Sequence, residues 1–303
     1  MSLKEVSTFI KAHLKTTTVR LNEKMSLHSS FEIGGLADLF VSPGTVDEVV
    51  KIVKFAGANQ IPIKPLGNGT NLLVSDNGTR GIVLNCKSAA SNPVFNGTRV
   101  KINAGCLLKT LAEEAATRSL SGMENAVGIP GSIGGALIMN AGANDYNIGN
   151  FIENVTVVDL EGVVHIIDKK DLSFNYRHSS LKDSNYIILS AELALKNGNK
   201  ERLFKIMEEE LASRKKKFPL NYPNAGSIFK RPSEGFPGKW IEMAGCKGMR
   251  VGDAEVSTKH ANFIINTKHA NAKDVLALIK KVQEIVYKKF NVILEQEIIF
   301  WEN

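Results

Sequence analysis

Two glycine-dense loops in the middle of the chain constrain its fold more than any other feature. One runs over Pro65-Leu66-Gly67-Asn68-Gly69-Thr70-Asn71, and the other over Gly128-Ile129-Pro130-Gly131-Ser132-Ile133-Gly134-Gly135-Ala136. Glycine permits close approach of the backbone, so successive N–H groups can converge on a pyrophosphate. The second loop also leads into a predicted helix, whose amino end favours anions. Each loop alone also fits a plain turn, but the pair indicates a dinucleotide site.

The two commonest nucleotide-binding motifs are missing. Gly67-Asn68-Gly69 lacks the third glycine of the Rossmann fingerprint, and no GxxxxGK[ST] segment occurs in the 303 residues. Any nucleotide would therefore bind by a route other than these two motifs.

Changes in residue pattern divide the chain into three predicted domains of an α+β protein. Residues 1–60 are predicted to form a small α/β unit, residues 61–198 a β-rich α+β domain, and residues 199–303 a third domain. The terminal strand, within residues 292–303, is a candidate to pack back on the first domain. No internal repeat is present, which excludes solenoid folds.

Apolar spacing predicts the main helices and the last strand. Thr45 to Glu48 fits a capping box that opens a helix in the first domain, and Leu107 to Leu120 is amphipathic. A charged helix is predicted over Lys200 to Lys217, and another from Asp274 to Phe290. The terminal strand places one set of side chains on a single face: Ile293, Glu295, Glu297, Ile299 and Trp301.

The net charge of +7 suits an anionic partner, which could be nucleic acid, a membrane surface or a phosphorylated small molecule. The one dense basic run, Arg214 to Lys217, has no interleaved aromatic residues, so nucleic acid is not favoured. That run fits either a solvated helix end or a phosphate-binding group.

Other sequence features argue against a membrane protein and against a metal or disulfide scaffold. No apolar run approaches the roughly 18 residues of a membrane span, so a cytoplasmic protein is expected. Cys86, Cys106 and Cys246 are far apart and show no metal-ligand spacing. No metal is expected.

The order of several motifs resembles one family, the UDP-N-acetylenolpyruvoylglucosamine reductases. The matching segments are Phe31 to Gly35, Gly67 to Asn71, Gly128 to Ser132, Tyr176-Arg177, Ala225 to Lys230, Gly248 to Gly252, Lys259 to Asn266 and Leu294 to Glu297. They extend over nearly the whole chain. The chain resembles the shorter branch of the family, which lacks an inserted loop with a substrate-clamping tyrosine.

The resemblance implies both a fold and an activity. The first two domains would form the two-subdomain FAD-binding fold of the vanillyl-alcohol-oxidase (PCMH) type, and the third an α+β substrate-binding domain. Non-covalent FAD and NADPH would reduce UDP-N-acetylglucosamine enolpyruvate to UDP-N-acetylmuramate, a cytoplasmic step of peptidoglycan synthesis. A monomer is expected, with no nucleic acid or membrane partner.

The resemblance also implies roles for three side chains. After hydride reaches the vinyl carbon, Arg177 and Glu297 would bind the developing enolate oxygen, and Ser227 would deliver a proton to carbon. Alternation alone cannot separate Glu295 from Glu297, but the Leu-Glu-x-Glu match selects Glu297. Burial is expected to raise the pKa of Glu297 and keep it protonated.

By the same resemblance, further residues would bind the two ligands. FAD would be held by Gly67, Asn68, Gly69, Thr70, Asn71, Gly128, Ile129, Pro130, Gly131, Ser132, Gly134, Gly135 and Arg250. The substrate would be held by Asn224 and His260 and by the cations nearest Ser227 in sequence, which are Lys217, Lys230 and Arg231. Four positions depart from the family pattern and put local FAD contacts in question: Glu32, Leu36, Asp253 and Glu255.

Two other functions remain open at this stage. A flavin oxidase of the same fold would pass its electrons to oxygen. A non-catalytic UDP-sugar-binding or nucleotide-binding protein would make Arg177, Ser227 and Glu297 incidental.

Overall fold

The computed structural model describes residues 2–143 and 146–302. The helices in these residues are α1 (Leu3–His13), α2 (Val46–Ala58), α3 (Leu108–Thr117), α4 (Ile133–Met139), α5 (Lys200–Lys217), α6 (Pro237–Met243) and α7 (Ala272–Phe290). The strands are β1 (Thr18–Lys24), β2 (Leu36–Ser42), β3 (Ile63–Leu66), β4 (Leu72–Val74), β5 (Thr79–Asn85), β6 (Val94–Asn96), β7 (Arg99–Asn103), β8 (Leu120–Ser121), β9 (Gly142–Ala143), β10 (Tyr146–Asn147), β11 (Ile152–Val158), β12 (Val164–Asp168), β13 (Phe174–Asn175), β14 (His178–Ser179), β15 (Ile187–Ala194), β16 (Lys196–Asn197), β17 (Arg250–Val251), β18 (Ala254–Val256), β19 (Ile264–Asn266) and β20 (Ile299–Trp301).

The chain forms two compact units, each built from separate segments. Unit 1 comprises Met1–Glu23, Asp38–Asn68 and Arg80–Ala212, and unit 2 comprises Lys24–Ala37, Gly69–Thr79 and Ser213–Asn303. The predicted domain boundaries after residues 60 and 198 stay a prediction. Among the described helices, none combines the length and the apolar content that a bilayer crossing requires.

Unit 1 contains two sheets. The first has the order β1-β2-β5-β3, with β3 and β5 parallel and Ile63 opposite Ile82. Its core includes Val49 and Ile52 of α2, which repeat at helical spacing and turn one face of that helix inward. The second sheet has the order β12-β11-β15-β7-β6 and is antiparallel. Leu111 of α3 is fully buried in the core of this second sheet.

Unit 2 combines a small antiparallel sheet, β17-β18-β19, with helices α6 and α7. One face of α7 is buried, with Val275, Leu278 and Val282 in the core. The final strand β20 lies parallel to β4, with Ile299 opposite Leu72. Unit 2 therefore draws its core from three distant parts of the chain.

Two sequence predictions are wrong in detail. Thr45 does cap α2, since its hydroxyl accepts a hydrogen bond from the Glu48 N–H, but the reciprocal half of the box is absent. The Glu48 carboxylate instead accepts bonds from Thr16, Thr17 and the Gly44 N–H. The terminal strand is also shorter than predicted, because β20 covers only Ile299–Trp301 and a single bridge at Gln296 precedes it.

The carboxylate of Glu48 joins α2 to the chain that enters β1, and its titration should control stability in acid. Burial raises the pKa of Glu48, but hydrogen bonds from Thr16, Gly44 and Thr17 outweigh burial and lower it from 4.5 to about 2. A lowered pKa means that the ionised form stabilises the fold above pH 4.5 and that this contribution is lost as the pH falls through about 2.

We predict that Glu48→Gln lowers the free energy of unfolding by about 2–3 kcal/mol at neutral pH. Urea denaturation should show this difference shrinking between pH 4.5 and about 2. Asp47→Asn is the matched control, because Asp47 lies on the same turn, is 71% exposed and pairs only with Lys51 in that turn. A Glu48→Gln difference that does not change with pH would contradict this account.

Candidate active site

Ser227 lies in a tight loop of unit 2. The loop is held on its amino-terminal side by Asn224, whose Oδ1 accepts a hydrogen bond from the Gly226 N–H at 2.9 Å. Gly226 has φ +77°, a left-handed conformation that favours glycine. Ser227 is half-buried, and its hydroxyl has no hydrogen-bond partner among the described residues. A half-buried hydroxyl without a partner is available to a ligand.

The terminal segment lies directly beside the Ser227 loop. The Glu297 N–H donates to the Ile228 carbonyl at 2.8 Å, and the Lys230 N–H donates to the Glu295 carbonyl at 2.8 Å. The side chain of Glu295 is 70% exposed and pairs with Lys230, whereas Glu297 is half-buried. Burial therefore distinguishes Glu297 from Glu295, which the alternation of side chains along the strand could not do.

Arg177 lies in unit 1, in the two-residue turn between β13 and β14. It has φ +56°, which is uncommon for a residue with a side chain and is found at functional sites. Its Nη1 donates to the Gly142 carbonyl at 3.4 Å, and its guanidinium lies over the Tyr176 ring. Asn140 supports the hairpin by donating to the Asn175 carbonyl at 3.0 Å. The turn therefore holds Arg177 half-buried and does not release it to solvent.

Within unit 1, the first glycine loop meets the second. A Cβ added to Gly67 would lie 2.2 Å from Ser132 Oγ, and Asn68 Nδ2 donates to the Pro130 carbonyl at 2.6 Å. Ser132 caps α4, since its hydroxyl accepts a bond from the Gly135 N–H. Gly67 is therefore required by close packing between the two loops.

Two glycines of the second loop, Gly131 and Gly135, are not required by the protein's own structure. A Cβ on Gly131 would approach nothing closer than 3.8 Å, and one on Gly135 nothing closer than 3.4 Å; neither residue has a left-handed φ. In the described part of the chain, the N–H groups of Gly131 and Ser132 donate to no protein acceptor. Open space beside free N–H groups fits a ligand with phosphate oxygens.

The remainder of the first loop belongs to unit 2. Gly69 has φ +65°, and its carbonyl accepts a bond from the Ser30 N–H. Asn71 donates through Nδ2 to the Glu297 carbonyl at 3.3 Å, and its own carbonyl accepts from the Ile299 N–H. Thr70 lies between these two residues and is half-buried. Through the hydrogen bonds of Asn71, this part of the loop therefore holds the terminal segment that carries Glu297.

The predicted substrate residues of unit 2 occupy different environments. Lys217 is exposed at the last residue of α5, Lys230 pairs with Glu295, and Arg231 lies over the Phe236 ring at 4.0 Å. Asn224 is occupied within its own loop, with Nδ2 donating to the Tyr222 carbonyl. Lys217 is therefore the least constrained of the three cations.

His260 is the most unusual of the predicted substrate residues. Its Nδ1 atom is buried and has no hydrogen-bond partner in the described structure. Its ring packs edge-on against Phe218 and Phe263. Burial lowers the pKa of His260, and nearby Lys247 lowers it further, although a backbone hydrogen bond and Glu242 oppose the shift. The imidazole is therefore neutral at physiological pH and offers an unused polar atom.

Arg250 lies on the sheet of unit 2 and forms an ion pair with Glu255, whose side chain is 10% exposed. This pairing accounts for Glu255, one of the departures from the family pattern. Both residues line an open cleft of about 440 Å³ together with Tyr222, Lys259 and Lys268. The predicted role of Arg250 in FAD binding stays a prediction.

Sequence reasoning did not single out Asn262, which is 5% exposed and bonds to both backbone polar groups of Phe229. One signal for it was present in the sequence, because Asn262 interrupts the apolar run from Ala261 to Ile265. A polar residue in a buried run is retained only where its hydrogen bonds are satisfied.

Comparisons with known proteins agree with the order of these motifs. Residues 37–168 match the family model of the FAD binding domain, and residues 218–301 match that of the UDP-N-acetylenolpyruvoylglucosamine reductase C-terminal domain. The α+β fold class, with an FAD-binding fold followed by a substrate-binding domain, is thereby confirmed.

Whole-chain relatives carry the same name. The UDP-N-acetylenolpyruvoylglucosamine reductase of Caldanaerobacter subterraneus subsp. tengcongensis is 44% identical over 289 residues, which is 95% of each chain. That of Clostridium novyi is 41% identical over 97% of this chain and 95% of its own. The crystal structure of the Thermus caldophilus reductase superposes with a TM-score of 0.80 at 34% identity, covering 94% of this chain and 99% of that one. The chain therefore belongs to the UDP-N-acetylenolpyruvoylglucosamine reductase family.

Proposed function

We propose that this chain performs its family's reaction with Ser227 as the proton donor to carbon and with Arg177 and Glu297 binding the enolate oxygen. The reaction is the NADPH-dependent reduction of UDP-N-acetylglucosamine enolpyruvate to UDP-N-acetylmuramate, in peptidoglycan precursor synthesis. When bound, FAD takes electrons from NADPH and supplies hydride to the vinyl carbon. Family membership favours this reductase over an oxidase or a non-catalytic binding protein.

The half-buried hydroxyl of Ser227, without a partner among the described residues, carries the proposal. A serine hydroxyl is a weak acid, but the carbon that must be protonated is carbanion-like and strongly basic. A weakly acidic donor can then transfer its proton, provided that it is held at the right position next to that carbon. A hydroxyl already committed to a structural hydrogen bond would serve this role less well.

The enolate oxygen needs donors that strengthen as negative charge develops. The Arg177 guanidinium is always charged and pairs with carboxylates in two-pronged geometry. Glu297, which is half-buried, would act as a protonated acid that donates a hydrogen bond to the same oxygen. The hairpin turn that holds Arg177 half-buried keeps the guanidinium close to the chain, which supports this role.

FAD would lie against the two glycine loops. The free N–H groups of Gly131 and Ser132 would donate to its pyrophosphate, and the space beside Gly131 and Gly135 would admit it. Glycine at these positions is explained by ligand approach, since neither backbone strain nor packing requires it. Ile129, Pro130 and Gly134 would shape the same loop.

The substrate's nucleotide portion would bind in unit 2. Lys217 directly precedes Phe218 in sequence, and the Phe218 ring is 5.2 Å from the ring of His260, whose Nδ1 has no hydrogen-bond partner among the described residues. Lys217 would attract the diphosphate, and neutral His260 would supply a hydrogen bond. Asn224, Lys230 and Arg231 flank Ser227 in sequence and complete the proposed set.

The substrate chemistry also supports a cellular location. UDP-linked precursors of peptidoglycan are water-soluble nucleotides, so we place the enzyme in the cytoplasm. We expect a monomer, which light scattering at working concentration would test directly.

We predict that Ser227→Ala leaves NADPH-driven flavin reduction nearly intact but slows reoxidation by the enol ether by roughly 10²–10⁴-fold, as expected for loss of a positioned acid. Anaerobic stopped-flow absorbance at the flavin band follows both half-reactions in one preparation. Ser233→Ala, on the exposed loop after Ser227, is the matched control and should match the wild type in both. Equal loss in both half-reactions would remove Ser227 from the chemistry.

We predict that Gly131→Ala weakens FAD binding without destabilising the apoprotein, because the added methyl occupies ligand space and not protein space. Gly67→Ala should instead lower the melting temperature of the apoprotein, because its methyl would meet Ser132. Fluorescence titration of the apoprotein with FAD and thermal denaturation separate the two effects. A Gly131→Ala protein that binds FAD as tightly as the wild type would contradict the proposed loop contact.

We predict that Lys217→Ala raises the KM for the enol ether about tenfold with little change in kcat, because a charge-assisted contact to a remote phosphate is lost. Lys216→Ala is the matched control, since Lys216 is the preceding residue of α5 and is equally exposed. Steady-state kinetics at constant ionic strength give both parameters. Equal effects of the two substitutions would indicate only a general loss of positive charge.

A further inference from the structure

We infer that Asn262 is a positioning residue for proton delivery, because its side chain fixes the backbone that carries Ser227. The inference rests on the proposed role of Ser227 and adds the element that holds the hydroxyl in place. It concerns unit 2 alone, which contains Ser227, Asn262 and Glu297.

Ser227 does not fix its own position. Its side chain makes no hydrogen bond within the described residues, so no contact of the hydroxyl holds the loop. The preceding Gly226 has room around it, since an added Cβ would meet nothing within 4 Å. The placement of the hydroxyl must therefore come from the backbone on either side, and the buried residues Ile228 and Phe229 form one of these sides.

The residues that follow Ser227 form hydrogen bonds on both edges of their backbone, one facing the terminal segment and the other facing Asn262. On one edge, the Ile228 carbonyl accepts from the Glu297 N–H, and the Lys230 N–H donates to the Glu295 carbonyl. On the other edge, the Ile228 N–H donates to the main-chain carbonyl of Asn262 at 2.9 Å. At Phe229, which lies between them, no main-chain partner is present on that second edge in the described residues.

The Asn262 amide takes the place of that missing partner. Its Oδ1 accepts from the Phe229 N–H at 3.0 Å, and its Nδ2 donates to the Phe229 carbonyl at 2.9 Å. A primary amide presents a donor and an acceptor side by side, as a neighbouring strand would. One side chain thus completes the hydrogen bonding of the residue two positions after Ser227.

Burial makes these two bonds hard to replace. Asn262 is 5% exposed and Phe229 is 2% exposed, so water cannot easily take over. Removing the amide would leave a buried N–H and a buried C=O unpaired, which a native structure avoids by moving the chain. Because only Ile228 separates Phe229 from Ser227 in the chain, such a movement would displace the Ser227 hydroxyl.

Asn266, at the end of β19 and four residues after Asn262, offers a matched comparison. It is likewise buried, at 4% exposure, and its amide also bonds to backbone groups. Its Nδ2 donates to the Phe31 carbonyl, and its Oδ1 accepts from the Lys268 and Ala270 N–H groups. None of these partners lies in residues 225–230. Asn266→Ala therefore reproduces the loss of a buried amide without removing a side-chain hydrogen bond from residues 225–230, and it keeps the bond from the main-chain N–H of residue 266 to the Pro223 carbonyl.

The decisive experiment compares the two half-reactions in the FAD-loaded enzyme by anaerobic stopped flow. Asn262→Ala should slow flavin reoxidation by UDP-N-acetylglucosamine enolpyruvate about 100-fold, the scale expected when a reacting group is displaced by about 1 Å. NADPH-driven flavin reduction should change by no more than about twofold, since no proton from Ser227 is involved. Asn266→Ala should show no such selectivity.

Two further readouts respond to positioning and not to general destabilisation. Amide hydrogen exchange in residues 225–230 of the apoprotein should accelerate in Asn262→Ala and remain unchanged in Asn266→Ala. In a double-variant cycle, adding Asn262→Ala to Ser227→Ala should slow reoxidation no further, because the group being positioned is already gone. Where Asn262→Ala does not fold, Asn262→Gln keeps an amide donor and acceptor on a longer side chain and should give a smaller but equally selective loss.

The outcomes distinguish this inference from the proposed function. If Ser227→Ala is selective for reoxidation while the Asn262 variants slow both half-reactions equally, the positioning role is overturned and the role of Ser227 stands. The positioning role is also overturned by additive effects in the double variant, or by unchanged exchange in residues 225–230. If Ser227→Ala is itself unselective, the proposed function fails first and the inference fails with it.

Discussion

The candidate site of unit 2 depends on the need of buried backbone groups for hydrogen-bond partners. The segment after Ser227 enters a core that includes Ile228 and Phe229, where unpaired N–H and C=O groups are costly. On one side of Ile228 and Phe229, the terminal segment supplies the hydrogen-bond partners of the backbone. On the other side, the Asn262 amide bonds to the backbone N–H and C=O of Phe229. The same bonds that stabilise the core thus bring the backbones of Ser227 and Glu297 together. Stability and site geometry share one set of interactions.

The glycine loops illustrate two different reasons for the same residue type. Gly67 is small because Ser132 lies against it, whereas Gly131 has space around it that the protein leaves open. Both reasons look alike in the sequence, where each position reads only as glycine in a loop. The distinction matters for function. Close packing is a sufficient reason for glycine at Gly67, whereas open space beside Gly131 is room that a ligand can fill.

Local patterns predicted much of the fold. The helix from Lys200 to Lys217 begins and ends where its charge pattern indicates, and α7 starts two residues before the predicted Asp274. The terminal strand was overestimated because alternation reports which side chains are buried, and not which backbone groups find a partner strand. The reciprocal half of the Thr45 capping box failed for a similar reason. Glu48 found tertiary partners that its immediate sequence could not indicate.

The site itself was much less accessible to such reasoning. Residue spacing favoured no role for Arg177 or Ser227, and only the order of motifs across the chain singled them out. The left-handed turn at Arg177 carries no glycine signature, and the partners of Asn262 lie more than thirty positions away in sequence. Contacts of that range depend on topology, and no local pattern encodes them.

The composition of unit 2 also bears on how the polypeptide can fold as it is synthesised. Its segments Lys24–Ala37 and Gly69–Thr79 emerge early, yet their partners in Ser213–Asn303 emerge only after most of unit 1. Strand β4 can therefore pair with β20 only after residues 299–301 have been synthesised. Until then, the apolar side chains of β4 lack the neighbours that bury them, so this segment stays exposed in the nascent chain until residues 299–301 have been made.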